Sequence, residues 1–523
     1  MRMPVSHFRR RLSSRSQTRR LLDGAWPPKS GLCHVSRLPP ELLELVFLQW
    51  RQIDPPDAEL GYYGWLSVLL VCRSWMTIAR RCSVLWATIS GPHLTPRWVL
   101  KMLKLSKATP LVLSLDYSKN SSTDLSPRRL LSSPIVSRLH HLDLTLSDHD
   151  PEGAIALHEA PSAPELRSLT ISVNHVVLTL PTVLFTSSLP RLESLTLKGC
   201  TIPWIATSIF DHLVHLSIVV PHGSESVYNS TEERNVAFHD AMEAFRRVGP
   251  TLRSLTLRNF IPPSPAHDNH DSSGLPIPLQ VLQDLILEGE PSHVTTFISL
   301  LSLPPPVNTS VFLNCDSPAV LLDAMRKLGL PFLRPIMLEI DFDSAECVEL
   351  ALRLHLPPAP GASHGHTQAL YVNRMVDGYR WDTFNAYTDV VRTIHLGQVQ
   401  TLVHYASFVR FWSSSTWRAL FPQTRAFSLR TIIAAGEPAT ISLLDALAPD
   451  DDGAGKCVLA PHLQRLQLAP LHAGHIRSAR RPECLVLPNF KHMRGISGYP
   501  IPSIVTVGVD GPGWVDVRRT GCA

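Results

Sequence analysis

The sequence predicts a chain of mixed class, α+β and α/β: a small all-helical module near the N-terminus, then a repetitive α/β solenoid. Three observations carry this. A short apolar helix signal at 40–50 opens on two prolines, and the pattern leucine-x-x-leucine-x-leucine recurs from residue 139. There are also 45 prolines in 523 residues, which favours short elements joined by turns.

Composition bounds the rest. Apolar residues at 44% and charged residues at 18% describe a folded chain with a substantial core and little surface charge. The net charge of +5 is local in origin. Residues 1–20 hold Arg2, Arg9, Arg10, Arg11, Arg15, Arg19 and Arg20 and no acid, so the remainder sums to −2. Such a body does not suit nucleic acid, and residues 1–34 are expected to be a disordered arginine-rich tail. No stretch approaches the ~18 consecutive apolar residues of a membrane span. The cysteines are scattered and never form CxxC. That pattern favours buried thiols in a reducing cytoplasmic or nuclear setting over disulfides or zinc, and makes the sequons at Asn120, Asn229 and Asn308 chance matches.

The helical module spans 35–90. Pro39 and Pro40 suit a helix start and Glu41 suits its positive end. Leu42, Leu43, Val46, Phe47 and Trp50 then fall on one side. A second helix is expected over 64–80, with Leu66, Leu69, Leu70, Val71, Trp75 and Ile78 apolar, and a short third turn holds Leu85 and Trp86. Such a module has a very small core, marginal without a partner surface.

Residues 91–138 read as a linker and capping region, and the solenoid is expected over 139–470. Its copies are LHHLDL (139–144), LRSLTI (166–171), LESLTL (192–197), LVHLSI (213–218), LRSLTL (252–257), LQDLIL (282–287) and LQRLQL (463–468). The first six start 27, 26, 21, 39 and 30 residues apart. Weaker copies, LRPIML (333–338), VRTIHL (391–396) and TRAFSL (424–429), leave 300–460 degenerate.

Within a copy the fourth and sixth positions alternate with polar ones, as in a strand with one buried face. Proline two residues ahead of several copies, as at Pro164, Pro190 and Pro250, is read as the first residue of a strand. Between copies, 231–250 reads as a helix capped by Thr231 and stopped by Gly249-Pro250. Strand, return segment and strand every ~20–29 residues is the signature of a leucine-rich repeat. The asparagine or cysteine usual after the third leucine has only Cys200 and Asn259 nearby. Residues 471–523 complete no repeat and read as an irregular tail.

Across the module, "LPPELLELVF", "LLVCRSWMTIA" and "SVLWATI" resemble an F-box in the order LPxEL, VCxxW, LW. The link at 51–64 is longer than usual. The resemblance implies docking onto the Skp adaptor of a cullin-based ubiquitin ligase, with the downstream repeats selecting a target protein. Carried over, Leu38, Pro39, Leu42, Val46 and Trp86 lie at or near the adaptor, while Phe47, Val71 and Trp75 serve the core. Target contact is expected on the exposed strand positions Arg167, Ser168, Glu193, Ser194, Arg253 and Ser254. The alternative is a leucine-rich-repeat scaffold acting outside a ligase.

No motif points to chemistry or a cofactor. "DDDGAGK" at 450–456 lacks phosphate-loop spacing, and "GISGYP" at 495–500 misses a nucleophile elbow by one position. His364 and His366 have no cysteine or acid cluster beside them, and alternate strand faces part His140 from His141. The acidic run 449–453 reads as a solvated turn, and Trp412, Trp417 and Phe421 as core.

Overall fold

Helix α1 (Pro40–Ile53) begins where Pro39 accepts backbone hydrogen bonds from Leu42 (3.1 Å) and Leu43 (3.2 Å), with proline at the first helical position. It ends at Asp54, whose N–H reaches Trp50 O at 2.9 Å while Trp50 Nε1 donates to Asp54 Oδ2 at 2.9 Å. The computed structural model describes residues 38–56, 63–90, 96–117, 130–146, 156, 159–174, 177–182, 189–205, 207–221, 231–261, 276–304 and 307–314. It also describes 318–328, 337–343, 348–356, 367–374, 398–406, 415, 417–418, 428–435, 443–444, 446–447, 460, 462–469, 503–507 and 514–516. The arginine-rich N-terminus, His364, His366, Trp412, Phe421 and the 449–453 run lie outside these residues. The chain divides into two units, Met1–Thr109 and Pro110–Ala523.

In the first unit, a 3-10 turn (Gly64–Ser67) leads into α2 (Val68–Val71), α3 (Arg73–Arg81), α4 (Ser83–Ala87), the two-residue β1 (Thr88–Ile89) and α5 (Pro96–Leu105). The single helix expected over 64–80 is therefore broken. Cys72 is extended (φ −159°, ψ 168°) and its Sγ accepts from Trp75 N at 3.4 Å, which caps α3 and satisfies an orphan donor of its first turn. Phe47, Val68, Ala79, Leu85, Trp86 and Ile89 have no exposed surface. The long link is closed by a hydrogen bond from Trp65 N to Asp54 O at 2.8 Å. Gly64 makes that return possible: at φ +50°, a Cβ there would lie 2.6 Å from the carbonyl oxygens of Asp54 and Pro55.

The second unit is organised by one sheet. The strands in the first part of this unit are β2 (Leu111–Asp116), β3 (Leu139–Leu146), β4 (Ser168–Val173), β5 (Leu178–Thr179), β6 (Ser194–Lys198), β7 (Cys200–Thr201), β8 (His215–Val219), β9 (Ser254–Arg258), β10 (Ile277–Pro278), β11 (Asp284–Gly289), β12 (Leu301–Ser302) and β13 (Asn308–Asn314). Between them lie the short helices α6 (Ser133–Val136) and α7 (Thr207–Phe210), then α8 (Thr231–Val248) and α9 (Pro291–Ser299). β2, β3, β4, β6, β8, β9, β11 and β13 pair in that order, all parallel. β5 pairs with β7, and β10 with β12, as short parallel flanks.

The repeat motif sets the register. Fourth-position residues Leu142, Leu169, Leu195, Leu216, Leu255 and Leu285 are direct neighbours, as are Leu144, Ile171, Leu197, Ile218, Leu257 and Leu287. Every one is buried. A strand with a single buried face cannot slip by one residue without exposing its whole apolar set, so these columns fix the pairing. The first leucine of each strong copy is buried as well; Leu139 opens β3, and in the other copies it lies two residues ahead of the strand.

Pro164 and Pro190 sit in the second position of tight turns closed by Leu166 N to Ala163 O and Leu192 N to Leu189 O, both 3.1 Å. They are turn residues rather than strand starts, because their fixed φ suits that turn position. Cys200 Sγ donates to Ile171 O at 3.5 Å, and Asn259 Nδ2 donates to Val220 O at 3.0 Å, so each ties its repeat to a neighbour's backbone.

Three expectations are corrected. Within the second unit the parallel ladder begins at β2, inside the expected linker, because Leu113 stands beside Leu142 in the buried column. It also continues past 470: β20 (Ser503–Val507) pairs parallel with β19 (Arg465–Ala469), and β21 (Trp514–Asp516) pairs antiparallel with β20. The degenerate section is a reversal. After α10 (Pro318–Lys327), strands β14 (Met337–Asp343), β15 (Val348–His355) and β16 (Thr367–Arg374) form an antiparallel meander, with β16 placed beside β13.

β17 (Thr401–Ala406) then pairs with β14, followed by β18 (Thr431–Ala435) and β19, all parallel. The true copies here are Val399-Gln-Thr-Leu402 and Leu429-Arg-Thr-Ile432, whose Val399, Leu402, Leu429 and Ile432 are buried. The expected phase at 424–429 is therefore off, and 391–396 lies outside the described residues. Trp417, expected in the core, has no exposed surface.

Candidate functional site

Helix α1 is apolar on two sides. At 100° per residue, Leu42, Leu45, Val46, Gln49 and Ile53 form one stripe, and Leu43 and Phe47 face away from it. Leu43 and Phe47 are buried. Leu42 and Val46 are each 47% exposed, Leu45 57% and Ile53 79%. Leu38 and Pro39 are exposed at the helix start, and Leu70 and Val71 on α2 add further apolar surface. Of the fourteen large apolar side chains exposed among the described residues, the first ten, Leu38 to Leu100, belong to the first unit. Isolated exposed leucines are ordinary, but several large apolar side chains aligned along one helix make this face the candidate contact surface of the module.

The buried side holds the stripe in place. The rings of Phe47 and Trp75 lie 5.1 Å apart, and those of Trp65 and Trp86 5.2 Å, both pairs tilted. Arg51 Nη1 donates to the backbone oxygens of Val84 (2.8 Å) and Leu85 (3.1 Å), joining α1 to α4, and burial lowers its pKa from the ordinary arginine value. Burial also raises the Cys82 thiol.

Two assignments change. Trp86, expected at the adaptor surface, is wholly enclosed because its ring packs on Trp65 and its Nε1 donates to Ala79 O at 2.6 Å. Val71, expected in the core, is 55% exposed because the break at Cys72 ends α2 and turns its last residue outward. Trp75 is half-buried. Leu45 and Ile53 are not named by the sequence reading, and Leu70 is named there only among the apolar residues of the second helix, although the run LLELV already shows a helix apolar around most of its circumference.

On the sheet, Arg167 and Glu193 are exposed and paired at 3.2 Å across neighbouring repeats. Arg253 is exposed two strands beyond Glu193, with β8 between. Ser168, Ser194, His215 and Ser254 share one register row. Among the described residues no three His, Cys, Asp or Glu side chains gather as metal ligands, and no helix is long and apolar enough to cross a membrane. Cys200 is buried, which pushes its thiol pKa up to about 12.

Residues 35–91 match the F-box-like family. The bounds agree with the 35–90 read from the motif order, and the F-box-like segment contains α1, α2, α3 and α4. No curated protein matches the chain. Among solved structures it aligns with "Crystal structure of Rad7 and Elc1 complex in yeast" at 14% identity, over 84% of this chain and 94% of that one, with a TM-score of 0.27. The F-box-like match and the uncovered α1 stripe lie on the same residues.

Proposed function

We propose that the chain is a non-catalytic substrate receptor of a Skp–cullin–F-box ubiquitin ligase. The single observation that carries this is the apolar stripe Leu42, Leu45, Val46 and Ile53, uncovered by the F-box-like segment that contains it. Leu38, Pro39, Leu70 and Val71 extend the face offered to a Skp-type adaptor, and through the adaptor to a cullin. Trp86 and Phe47 act beneath the surface by fixing the pitch of α1.

The second unit is read as a leucine-rich-repeat solenoid that binds the target protein. Its support is the sequential parallel ladder from β2 to β13, the aligned leucine columns, and the bridges of Cys200 and Asn259 to neighbouring repeats. Arg167, Glu193 and Arg253 stand on its exposed strand ends as target contacts. The contribution to ubiquitin transfer is proximity: a tethered target lysine meets the conjugating enzyme at raised effective concentration, with no reactive side chain supplied by this chain.

Co-purification tests the docking half. The Leu42→Ala/Val46→Ala protein should recover less than about a tenth of the adaptor bound by wild type, the effect of losing ~1.4 kcal/mol or more of contact energy. Equal recovery from a folded double variant overturns the proposal.

A further inference from the structure

From Arg73 up to Asp116 the sequence has no carboxylate, yet it holds Arg80, Arg81, Arg97, Lys101, Lys104 and Lys107. Helix α5 concentrates these charges. Val99, Met102 and Leu103, with Ser106 just beyond, are buried on one side, while Arg97, Leu100, Lys101 and Lys104 are exposed on the other. At 100° per residue the four exposed positions fall within a third of the helix circumference. Lys107 continues the ridge in the left-handed region (φ 53°), a position that usually ends helices with glycine. Among the described residues no carboxylate pairs with these cations, and like charges at such spacing repel.

We propose that this ridge binds an acidic polypeptide segment carrying an apolar residue that seats on Leu100. The chemistry of the ridge separates this from other anionic partners. A single-stranded nucleic acid wants an open aromatic face, but Lys101 Nζ already lies over the Trp98 ring, 4.3 Å from its centre. A membrane surface wants several large apolar residues on the same face as the cations, whereas here Val99, Met102 and Leu103 are turned into the fold and Leu100 stands alone. One exposed leucine ringed by cations fits an acidic chain with an apolar anchor. The inference does not depend on adaptor docking by α1.

The test uses the full-length chain and fluorescence anisotropy. The probes are a labelled glutamate-rich peptide with two leucines, the same peptide with alanines, a labelled single-stranded oligonucleotide and phosphatidylserine-containing vesicles. Lys101→Glu/Lys104→Glu should weaken binding of the leucine peptide at least tenfold without moving the unfolding temperature. Leu100→Ala should abolish the preference for leucine over alanine. The arginines of residues 2–20 are common to all proteins compared, so differences report α5. If charge reversal impairs folding, Lys101→Gln/Lys104→Gln replaces it, with the same expectation at reduced size. Unchanged peptide binding in these variants overturns the proposal, as does a loss confined to the oligonucleotide or the vesicles.

Discussion

Trp86 donates from Nε1 to the backbone oxygen of Ala79 at 2.6 Å, tying α4 to α3 inside the helical module. The bond is fully buried, and the same ring packs on Trp65. Replacing Trp86 with alanine should cost about 3–5 kcal/mol of unfolding free energy, with Trp86→Phe, which keeps a ring but orphans the carbonyl, costing about 1–3. Urea unfolding followed by near-ultraviolet circular dichroism measures both. A stable Trp86→Ala protein that merely loses adaptor would place the indole on the surface, against the structure.

Gly64→Ala should lower the unfolding temperature by several degrees, since the added Cβ meets two carbonyl oxygens and the backbone is in the left-handed region. A strained position of this kind costs on the order of 1–3 kcal/mol. Calorimetry on the full chain reads it, and the loss should be confined to the transition that includes the module.

Leu45→Ser/Ile53→Ser should behave in the opposite way. Both side chains are exposed, so unfolding should shift by less than about 0.5 kcal/mol per site. Adaptor recovery should fall at least as far as with Leu42→Ala/Val46→Ala. A strong loss of stability would mean that the stripe belongs to the core.

On the sheet, Leu195→Ala should cost about 2–5 kcal/mol, because Leu195 is fully buried between Leu169 and Leu216 in the fourth-position column. Arg167→Ala breaks an exposed pair with Glu193 and should cost no more than about 1 kcal/mol. Parallel denaturant titrations of the two variants give the contrast directly.

Thiol chemistry offers a further check. Cys72 is exposed, while Cys82 and Cys200 are buried, so iodoacetamide at neutral pH should label Cys72 long before the others. Burial raises the Cys200 pKa to about 12, so the folded state holds that proton more tightly than the unfolded one. Its contribution is complete below pH 9, near the ordinary thiol value, and is lost as pH rises towards 12. A stability curve across that range should flatten in Cys200→Ala relative to wild type.

The sequence was most legible where one residue type repeats at one spacing. The buried columns through Leu142, Leu169 and Leu195 were readable because leucine recurs at the fourth position of every strong copy. Phase was lost where Val399 and Ile432 stand in for leucine, since the motif then gave no anchor. The reversal at β15 left no trace, because parallel and antiparallel strands share a two-residue period and differ only in their partners. In the module, the apolarity of α1 was plain, but apolar residues on both sides hid which side faces inward. The converging rings of Phe47, Trp75, Trp65 and Trp86 decide that, and ring convergence is a tertiary fact. It also moved Trp86 inward, while the break at Cys72 moved Val71 out.

The strand order around β15 also sets a timetable for synthesis. Along the main ladder, β3, β4, β6, β8, β9, β11 and β13 each pair with a strand already made, so this part of the sheet can grow while the chain lengthens. β14 breaks that rule: it lies three strand spacings from β13, roughly 14 Å at ~4.8 Å each, with β16 and β15 between them. Nothing beyond β13 can join the growing edge until residue 374 has been made, so the C-terminal strands assemble as a second, later instalment.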